Sequence, residues 1–306
     1  MDRPVVLGVD GGGTSGRLLA ATDDGTQVGR ADLGPLNAQR GGPDDLVTVL
    51  VEALADLEVP VSQVQQVVIG LAGAGNPATR RAYEAALCAA LPGAGCQVLS
   101  DLDLLLSVHP NGVGYAVIAG TGAVAVGRAP DRQQRVADGV GFLFGDLGSG
   151  FWIGREAVAR AFAAADGRGP ATVLRETIPV ALGFERLAGV LGLCARGQVD
   201  VTRIAGLAID VDDAASSGDA VAQQLLDQAG AGLADTLAAV CQQLSVWDTA
   251  RLAVTGGVLL GSTRVRAAFD ARLGHRGVSF AAMDRIDDVA AVAVALARQA
   301  MGTPPG

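Results

Sequence analysis

Residues 8–14 read Gly-Val-Asp-Gly-Gly-Gly-Thr, and apolar residues lie on both sides of them, at 5–7 and 18–21. This pattern predicts two strands joined by a glycine turn. Consecutive glycines leave backbone N–H groups open to an anion, while Asp10 offers a carboxylate for a cation and Thr14 offers a hydroxyl. The stretch therefore suits the phosphates of a Mg²⁺–nucleotide. It equally suits a tight hairpin turn in which Asp and Gly serve only the geometry.

A second strand–glycine turn–strand pattern lies further along the chain. Residues 113–119 and 123–127 are mostly apolar, and Gly120-Thr121-Gly122 separates them. A duplicated unit that places two phosphate-type turns is a stronger signal than one turn. We expect the two turns to bind a polyphosphate from two sides. The sequence contains no Lys, which excludes the nucleotide-binding P-loop.

Length, composition and charge exclude several classes of protein. The chain has 306 residues, of which half are hydrophobic, and this is enough for one large or two medium domains. Its net charge of −9 argues against nucleic acid or an anionic membrane as the main partner. The sequence shows neither a leader peptide nor a run of about 18 apolar residues. We therefore expect a cytoplasmic protein.

The cysteines and histidines form no metal-binding pattern. The four cysteines and two histidines are Cys88, Cys96, Cys194, Cys241, His109 and His275. None of the cysteines forms a Cys-x-x-Cys pair, and neither histidine lies near a cysteine in sequence. We expect buried free thiols rather than a disulfide framework.

The order of secondary-structure elements predicts an α/β fold. Strands are expected at 4–9, 16–22, 27–33, 64–70, 96–100, 113–119, 123–127, 251–255 and 278–281. Helices are expected at 45–58, 78–91, 151–165, 221–244 and 287–301, with a helix starting at 102–106 and broken helices over 172–208. We expect Asp44 to cap the first helix and Trp152 to pack in the core. Breaks are expected at Pro179, Gly183 and Gly197.

Several polar or glycine-rich positions follow predicted strands, where ligands of α/β sheets collect. Asp101 is a candidate base, and capping of the next helix is its alternative. Asn37 is either a ligand or a turn former. The glycines around Asp146 permit close approach of a ligand before a helix begins. Gly256 and Gly257 leave room for a flat ring.

Five motifs in this order resemble the BadF/BadG/BcrA/BcrD ATPase family, and within it the N-acetylglucosamine and glucosamine kinases. The motifs are residues 10–14, Gly70-Leu71-Ala72-Gly73-Ala74-Gly75, residues 119–122, Gly145-Asp146-Leu147-Gly148-Ser149-Gly150 and residues 255–258. The resemblance covers nearly the whole chain. It implies the actin-like ATPase fold, in which two ribonuclease-H-like domains surround a nucleotide cleft. We expect domains at 1–112 and 113–286, with the helix 287–301 packing back on the first.

The resemblance also implies roles for individual residues. ATP and Mg²⁺ would be the cofactors, Asp10 would hold the metal, and Asp101 would be the catalytic base. The remaining nucleotide contacts would be Gly11, Gly12, Gly13, Thr14, Gly120, Thr121, Gly122, Gly256 and Gly257. The sugar contacts would be Asn37, Gly73, Asp101 and Asp146. Similar kinases carry a bulky aromatic residue within 139–141, where this chain has Val140, so the shape of the amide pocket stays open.

The implied reaction is phosphorylation of the 6-hydroxyl of N-acetylglucosamine or glucosamine by ATP, in a homodimer. Two alternatives stay open. An activator ATPase of a radical dehydratase would hold an iron–sulfur cluster through cysteine, and here no cysteine lies beside a glycine-rich turn. A non-catalytic sugar sensor would usually carry a DNA-binding domain, but the first strand already begins at residue 4. The related ROK kinases are set aside because their Cys/His zinc cluster is missing.

Overall fold

The computed structural model of the protein describes residues 3–192, 200–245, 247 and 249–302. The chain forms two compact units. The first comprises Met1–Gly112 together with Asp288–Gly306, and the second comprises Val113–Asp287. Each unit is built on a five-stranded sheet with helices, so the predicted α/β class is confirmed.

The first unit has the strand order β3-β2-β1-β4-β5. Its strands are β1 (Val5–Gly11), β2 (Gly16–Thr22), β3 (Gln27–Asp32), β4 (Val64–Leu71) and β5 (Gly95–Ser100), and its helices are α1 (Pro43–Asp56), α2 (Pro77–Ala90), α3 (Asp101–Leu106) and α10 (Val289–Ala300). Strands β1 and β2 pair antiparallel, whereas β1, β4 and β5 run parallel. The carboxyl ends of the three parallel strands therefore meet at one edge of the sheet.

Strand β1 is buried on both faces of this sheet. Leu7 and Val9 belong to a core shared with α1 and α2, and Val6 belongs to a second core shared with α3 and α10. Helix α10 packs so closely that a Cβ added at Gly8 would lie 2.3 Å from the carbonyl oxygen of Ala290. The apolar run that precedes the first glycine turn is therefore the centre of a three-layer unit.

The second unit repeats this plan in the strand order β10-β9-β6-β7-β8. Its strands are β6 (Gly114–Ala119), β7 (Ala123–Arg128), β8 (Gln134–Asp138), β9 (Arg251–Thr255) and β10 (Ala282–Arg285). Its helices are α4 (Gly150–Ala165), α5 (Leu174–Ala181), α6 (Val201–Ser216), α7 (Ala220–Leu244), α8 (Gly257–Gly261) and α9 (Thr263–His275). An antiparallel β6–β7 hairpin lies beside β9, which runs parallel to β6. The duplicated strand–glycine turn–strand unit is confirmed.

Most predicted elements agree with the structure, but β8 and α9 were not predicted and some details are wrong. Helix α1 is capped by Gly42 and not by Asp44, because Pro43 fits the first helical position and the Asp45 carboxylate accepts the Gly42 N–H at 2.7 Å. The strand predicted at 278–281 is instead β10, four residues later. Before it, the Ala281 N–H donates to the Ala250 carbonyl at 2.8 Å, which sets the start of the pairing with β9.

Three further expectations concern breaks and thiols. Helix α5 contains Pro179, where a helix of eight residues loses a single backbone hydrogen bond, so the predicted break is wrong. Gly197 and Cys194 lie outside the described residues. Cys241 is buried as expected, whereas Cys88 is exposed because it lies on the solvent side of α2.

Candidate functional site

The first unit places two aspartates at the carboxyl edge of its parallel strands. Asp10 precedes the last residue of β1, and Asp101 follows directly after β5. Strand β4 lies between them, with Leu71 paired to Gly11 on one side and to Ser100 on the other. The edge predicted to hold ligands therefore carries two carboxylates.

Asp10 is held in surroundings that disfavour its charge. Burial is the largest effect and raises its pKa to about 6, while the Arg17 guanidinium opposes the shift. The carboxylates of Asp101 and Asp288 raise it further. Asp288 caps helix α10, so three acidic side chains act on this edge of the sheet. A cation beside Asp10 would relieve both the burial cost and the repulsion.

Asp101 is not the cap of helix α3. The side chain of Ser100 takes that position and accepts the Asp103 N–H at 3.0 Å. Asp101 is the first helical residue, and its carboxylate accepts the Leu102 N–H at 3.0 Å. Burial raises the pKa of Asp101, and the charge of Asp103 adds to the shift. The capping alternative is therefore wrong, and a carboxylate with raised basicity remains at the strand end.

The first glycine turn is a tight hairpin closed by the backbone. The Gly12 N–H donates to the Ser15 carbonyl at 2.9 Å, and the Gly12 carbonyl accepts the Leu36 N–H at 2.8 Å. A side chain at Gly12 would have its Cβ 2.8 Å from the Ser15 oxygen. The geometry of the hairpin thus explains why residue 12 is a glycine. Asp10 lies beside this turn, at the end of strand β1.

Asn37 and Gly73 lie together, next to the same turn. Asn37 forms a parallel bridge with Ala72, and a Cβ at Gly73 would lie 2.7 Å from the Asn37 Oδ1. Gly73 adopts a φ of +79°, which glycine tolerates best. The same Oδ1 accepts the Gln39 N–H at 2.8 Å, so Asn37 does form a turn. Its amide nitrogen is 3.6 Å from the Cβ position of Gly13, which joins the predicted sugar contacts to the predicted phosphate contacts.

The second unit builds its own glycine site around the turn Gly120–Gly122. A Cβ at Gly120 would meet no atom within 4 Å, so the backbone there faces open space. Gly256 has a φ of +97° and lies against this turn, because its Cβ would be 2.4 Å from the carbonyl carbon of Ala119. The sheet thus brings the Gly120–Gly122 turn and Gly256, both predicted nucleotide contacts, side by side. A bulky side chain at Gly256 would separate them.

Asp146 lies against the Gly120–Gly122 turn, a contact that the sequence did not predict. Its Oδ1 accepts the Ala123 N–H at 3.0 Å, and a Cβ at Gly122 would lie 3.1 Å from its carboxylate. Asp146 is buried, and burial raises its pKa while the Ala123 N–H opposes the shift. Asp138, which the sequence analysis did not single out, accepts N–H groups from the loop that carries Asp146.

The loop 139–149, which connects β8 to α4 and carries Asp146, has an apolar tip. Val140, Leu143 and Phe144 are 65%, 69% and 88% exposed. The neighbouring ring of Phe142 is anchored, with its centroid 4.8 Å from that of Phe151. Exposed apolar side chains on an anchored loop mark a contact surface for an apolar group. Trp152, the third residue of helix α4, packs against the core as predicted.

The part of the chain that the structure describes lacks two features. No group of three His, Cys, Asp or Glu side chains is arranged to hold a metal ion by itself. No helix among these residues combines the length and apolar character that crossing a bilayer requires.

Comparison with known proteins gives consistent results. Residues 7–274 match the model of the BadF/BadG/BcrA/BcrD ATPase family. An N-acetylmuramic acid/N-acetylglucosamine kinase from Clostridium acetobutylicum is 27% identical over 265 residues, covering 84% of this chain and 86% of that protein. A glucosamine kinase from Vibrio cholerae is 29% identical over 176 residues, covering 56% of this chain and 59% of that protein.

A solved structure shares the fold over nearly the full length. It is provisionally named an N-acetylglucosamine kinase, from Chromobacterium violaceum, and is 26% identical, with a TM-score of 0.72. The match covers 96% of this chain and 99% of the other. A ROK family glucokinase from Streptomyces griseus, 16% identical, has a TM-score of 0.62 and covers 96% of this chain and 99% of its own. The actin-like ATPase fold expected from the sequence is confirmed.

Proposed function

Because the chain belongs to the BadF/BadG/BcrA/BcrD ATPase family, we propose that it transfers the γ-phosphoryl group of ATP to the 6-hydroxyl of an amino sugar. One observation supports this above the others: Asp10 and Asp101 lie at the same sheet edge, each in surroundings that raise its pKa. The relatives from Clostridium acetobutylicum and Vibrio cholerae are named as kinases of amino sugars.

In this proposal Asp101 is the general base. It accepts the proton of the attacking hydroxyl as that oxygen approaches the γ-phosphorus in line with the departing ADP oxygen. A raised pKa suits the role, since a stronger base takes up that proton more readily. Asn37 and Gly73 bind the sugar hydroxyls, because the structure holds them together beside the first turn.

Mg²⁺ fits the acidic side chains of the first unit. Magnesium usually binds one or two carboxylates, substrate phosphates and water, so Asp10 with ATP would suffice without a complete protein cage. The repulsion among Asp10, Asp101 and Asp288 is the observation that favours a cation there. The metal would supply charge neutralisation for the phosphates.

The second unit contributes the Gly120–Gly122 turn, whose open backbone suits phosphate oxygens, and the adjoining Gly256 and Gly257 for adenosine. Residues 11–14 are the proposed phosphate contacts of the first unit. We propose that the two units are the two ribonuclease-H-like domains of the fold. Residues 1–112 with the helix 287–301 would form one domain and residues 113–286 the other.

We assign the acylated amine as the preferred form of the sugar. The loop that carries Asp146 presents Val140, Leu143 and Phe144 to solvent, and these side chains offer an apolar contact to an acetyl methyl group. A free ammonium group would gain nothing from them. N-Acetylglucosamine is therefore the first substrate to test, ahead of glucosamine.

The two alternatives make different demands on the protein. An activator of a radical dehydratase needs an iron–sulfur cluster held by cysteine, and the three described cysteines are free and distant in sequence from both turns. A sugar sensor would bind the sugar without consuming ATP. Neither has a specific observation in its favour.

The test is an assay of ADP release over a panel of glucose, mannose, glucosamine, N-acetylglucosamine and N-acetylmuramic acid. We expect N-acetylglucosamine to give the highest kcat/KM, with product phosphorylated at the 6-hydroxyl as identified by NMR. Phosphorylation of no amino sugar would contradict the proposal. Sugar binding without ADP release would favour the sensor, and iron in anaerobically purified protein would favour the activator.

A further inference from the structure

Asp138 fastens the two ends of a loop to each other. It is the last residue of β8, and its Oδ1 accepts the Asp146 N–H at 2.7 Å while its Oδ2 accepts the Leu147 N–H at 3.0 Å. Both carboxylate oxygens are thus used on a segment eight and nine residues further on. Gly145 has no room for a side chain, since a Cβ would lie 2.1 Å from the Asp138 Oδ1. The carboxylate therefore determines the path of residues 139–147.

The backbone of Asp138 and Asp146 shows that this path is specific. Their φ angles are +64° and +61°, in the left-handed region that residues other than glycine rarely adopt. Such conformations persist only where surrounding contacts hold them, and they cluster at binding sites. The hydrogen bonds from the Asp138 carboxylate are such contacts.

The same loop is joined to the Gly120–Gly122 turn. The Asp146 Oδ1 accepts the N–H of Ala123, the residue after the turn, at 3.0 Å. The first two residues of α4, which follow the loop, bond to the turn itself: Gly150 N–H to the Gly120 carbonyl at 2.8 Å and Phe151 N–H to the Thr121 carbonyl at 3.2 Å. The backbone N–H of Asp146 thus bonds to Asp138, and its side chain bonds to Ala123 at the end of the turn. The loop and the turn form one hydrogen-bonded body.

We propose that Asp138 is a positioning residue that couples sugar binding at the 139–149 loop to nucleotide binding at the Gly120–Gly122 turn. The inference rests on the proposed function, which places the sugar on this loop and the nucleotide on this turn. A sugar that orders the loop also orders the turn, and a nucleotide that orders the turn also orders the loop. The second ligand therefore binds a site that the first has already ordered. The coupling is reciprocal, because each ligand changes the affinity for the other by the same factor.

The experiment measures the Kd of N-acetylglucosamine by calorimetry, alone and with saturating Mg²⁺ and a non-hydrolysable ATP analogue. We expect the analogue to tighten sugar binding of the native protein about 5- to 100-fold, within the usual range for coupled sites. The sugar should tighten binding of the analogue by the same factor. In Asp138→Asn the factor should fall to below about 2, because the NH2 group that replaces one carboxylate oxygen is a donor and cannot accept the second N–H group.

Asp131→Asn is the matched control. Asp131 lies in the turn before β8 and accepts a local N–H from Gln133 at 3.0 Å, so it has the same chemistry without any contact to the loop. It should keep the native coupling factor. An Asp138→Asn protein with native coupling would overturn the proposal, as would an Asp131→Asn protein that loses it to the same extent.

A measurement on the native chain covers the case in which Asp138→Asn does not fold. Hydrogen exchange at the amides of Asp146 and Leu147 should slow when the ATP analogue alone is bound. Unchanged exchange there, with slowed exchange at the Gly120–Gly122 turn, would overturn the coupling. If the native protein binds both ligands without mutual effect, only this inference fails. If it binds neither, the proposed function fails with it.

Discussion

Asp10 and Asp101 share an edge of one sheet, and the fold disfavours charge on both. Their surroundings differ in detail: Asp10 has Arg17 across the antiparallel pairing, whereas Asp101 accepts the N–H of Leu102 at the start of its helix. A cation would favour ionised Asp10, and a hydroxyl proton would go to Asp101. The two carboxylates therefore suit two different tasks.

Asp101→Asn should keep the fold and lose turnover. The amide preserves shape and removes a buried charge, so the melting temperature should not fall. Without a base, kcat should drop by about 10²- to 10⁴-fold, as measured by ADP release with N-acetylglucosamine. Asp103→Asn, two residues away in an ion pair with Arg80, is the control and should stay within a few-fold of native. Near-native turnover of Asp101→Asn would remove Asp101 from the mechanism.

Asp10 gives the chain a specific dependence of stability on pH. Its pKa is about 6 in the native state and 3.8 in the unfolded state, so between these values the native state keeps a proton that the unfolded state has lost. Its contribution to stability therefore declines as pH rises from about 4 to 6. In metal-free buffer, Asp10→Asn should be more stable than native by roughly 1–3 kcal/mol at pH 7.5, and by less at pH 5.

Urea unfolding at the two pH values measures this difference. The exposed Asp32, on strand β3 of the same sheet, provides Asp32→Asn as a control that should show no comparable gain. If both variants gained the same stability at both pH values, burial of the Asp10 carboxylate would not be the cause of the gain.

Among the elements of the first unit, α10 and β1 approach each other backbone to backbone. No side chain separates them at Gly8, where an added Cβ would lie 2.3 Å from the Ala290 oxygen and 2.5 Å from the Val294 nitrogen. Backbone atoms cannot yield as a flexible side chain does. The small residue is thus a requirement of helix–sheet packing and has no role in turn formation.

Gly8→Ala should therefore destabilise the protein by about 1–3 kcal/mol, the usual cost of overpacking a core. Gly75→Ala is the matched control in the same unit, because a Cβ there would meet no atom within 4 Å. Thermal unfolding should show a lower melting temperature for the first variant only. Equal melting temperatures would show that α10 shifts to make room.

The elements that the sequence predicted well are those with strong apolar patterns. Strand β1 and helix α7 bury long apolar runs, and both were located within a residue or two. Strand β8 and helix α9 were not, since β8 is short and polar and α9 buries only Val265, Phe269 and Leu273 among charged residues. Local patterning is weak where tertiary contacts decide the structure.

The site follows the same division. Glycine turns and strand-end carboxylates are local signals, so residues 10–14, Asp101 and the Gly120–Gly122 turn were predicted as candidates from the sequence. Asp138 was not, because its role depends on a loop that returns to it eight residues later. The sequence also could not show that Ser100, and not Asp101, caps helix α3, since both residue types cap helices well.

At the scale of the whole molecule, the first unit is discontinuous in sequence. Residues 1–112 form it only with 288–306, whereas the second unit is one continuous segment. We predict that residues 113–287 fold alone when expressed, and that residues 1–112 do not. The reason is that Val6, Leu19 and Val68 would lose the α10 side chains that cover them.

Fusing residues 288–302 to residues 1–112 through a glycine–serine linker should restore a cooperative unfolding transition, measured by circular dichroism. The same fusion with Val294→Asp, which puts a charge into that core, should not restore it. Cooperative folding of 1–112 without α10 would show that the helix is dispensable.

The packing of α10 on β1 also sets an order of events on the ribosome. More than two hundred residues separate the end of β2 at Thr22 from the start of α10 at Val289. At the usual 5–20 residues per second, the emerging sheet waits roughly 15 to 60 seconds for the helix that closes one of its faces. The second unit is complete before then. Strand β1 is thus among the first strands to leave the exit tunnel and among the last to be fully buried. Chaperones that bind nascent chains can act on it during that interval.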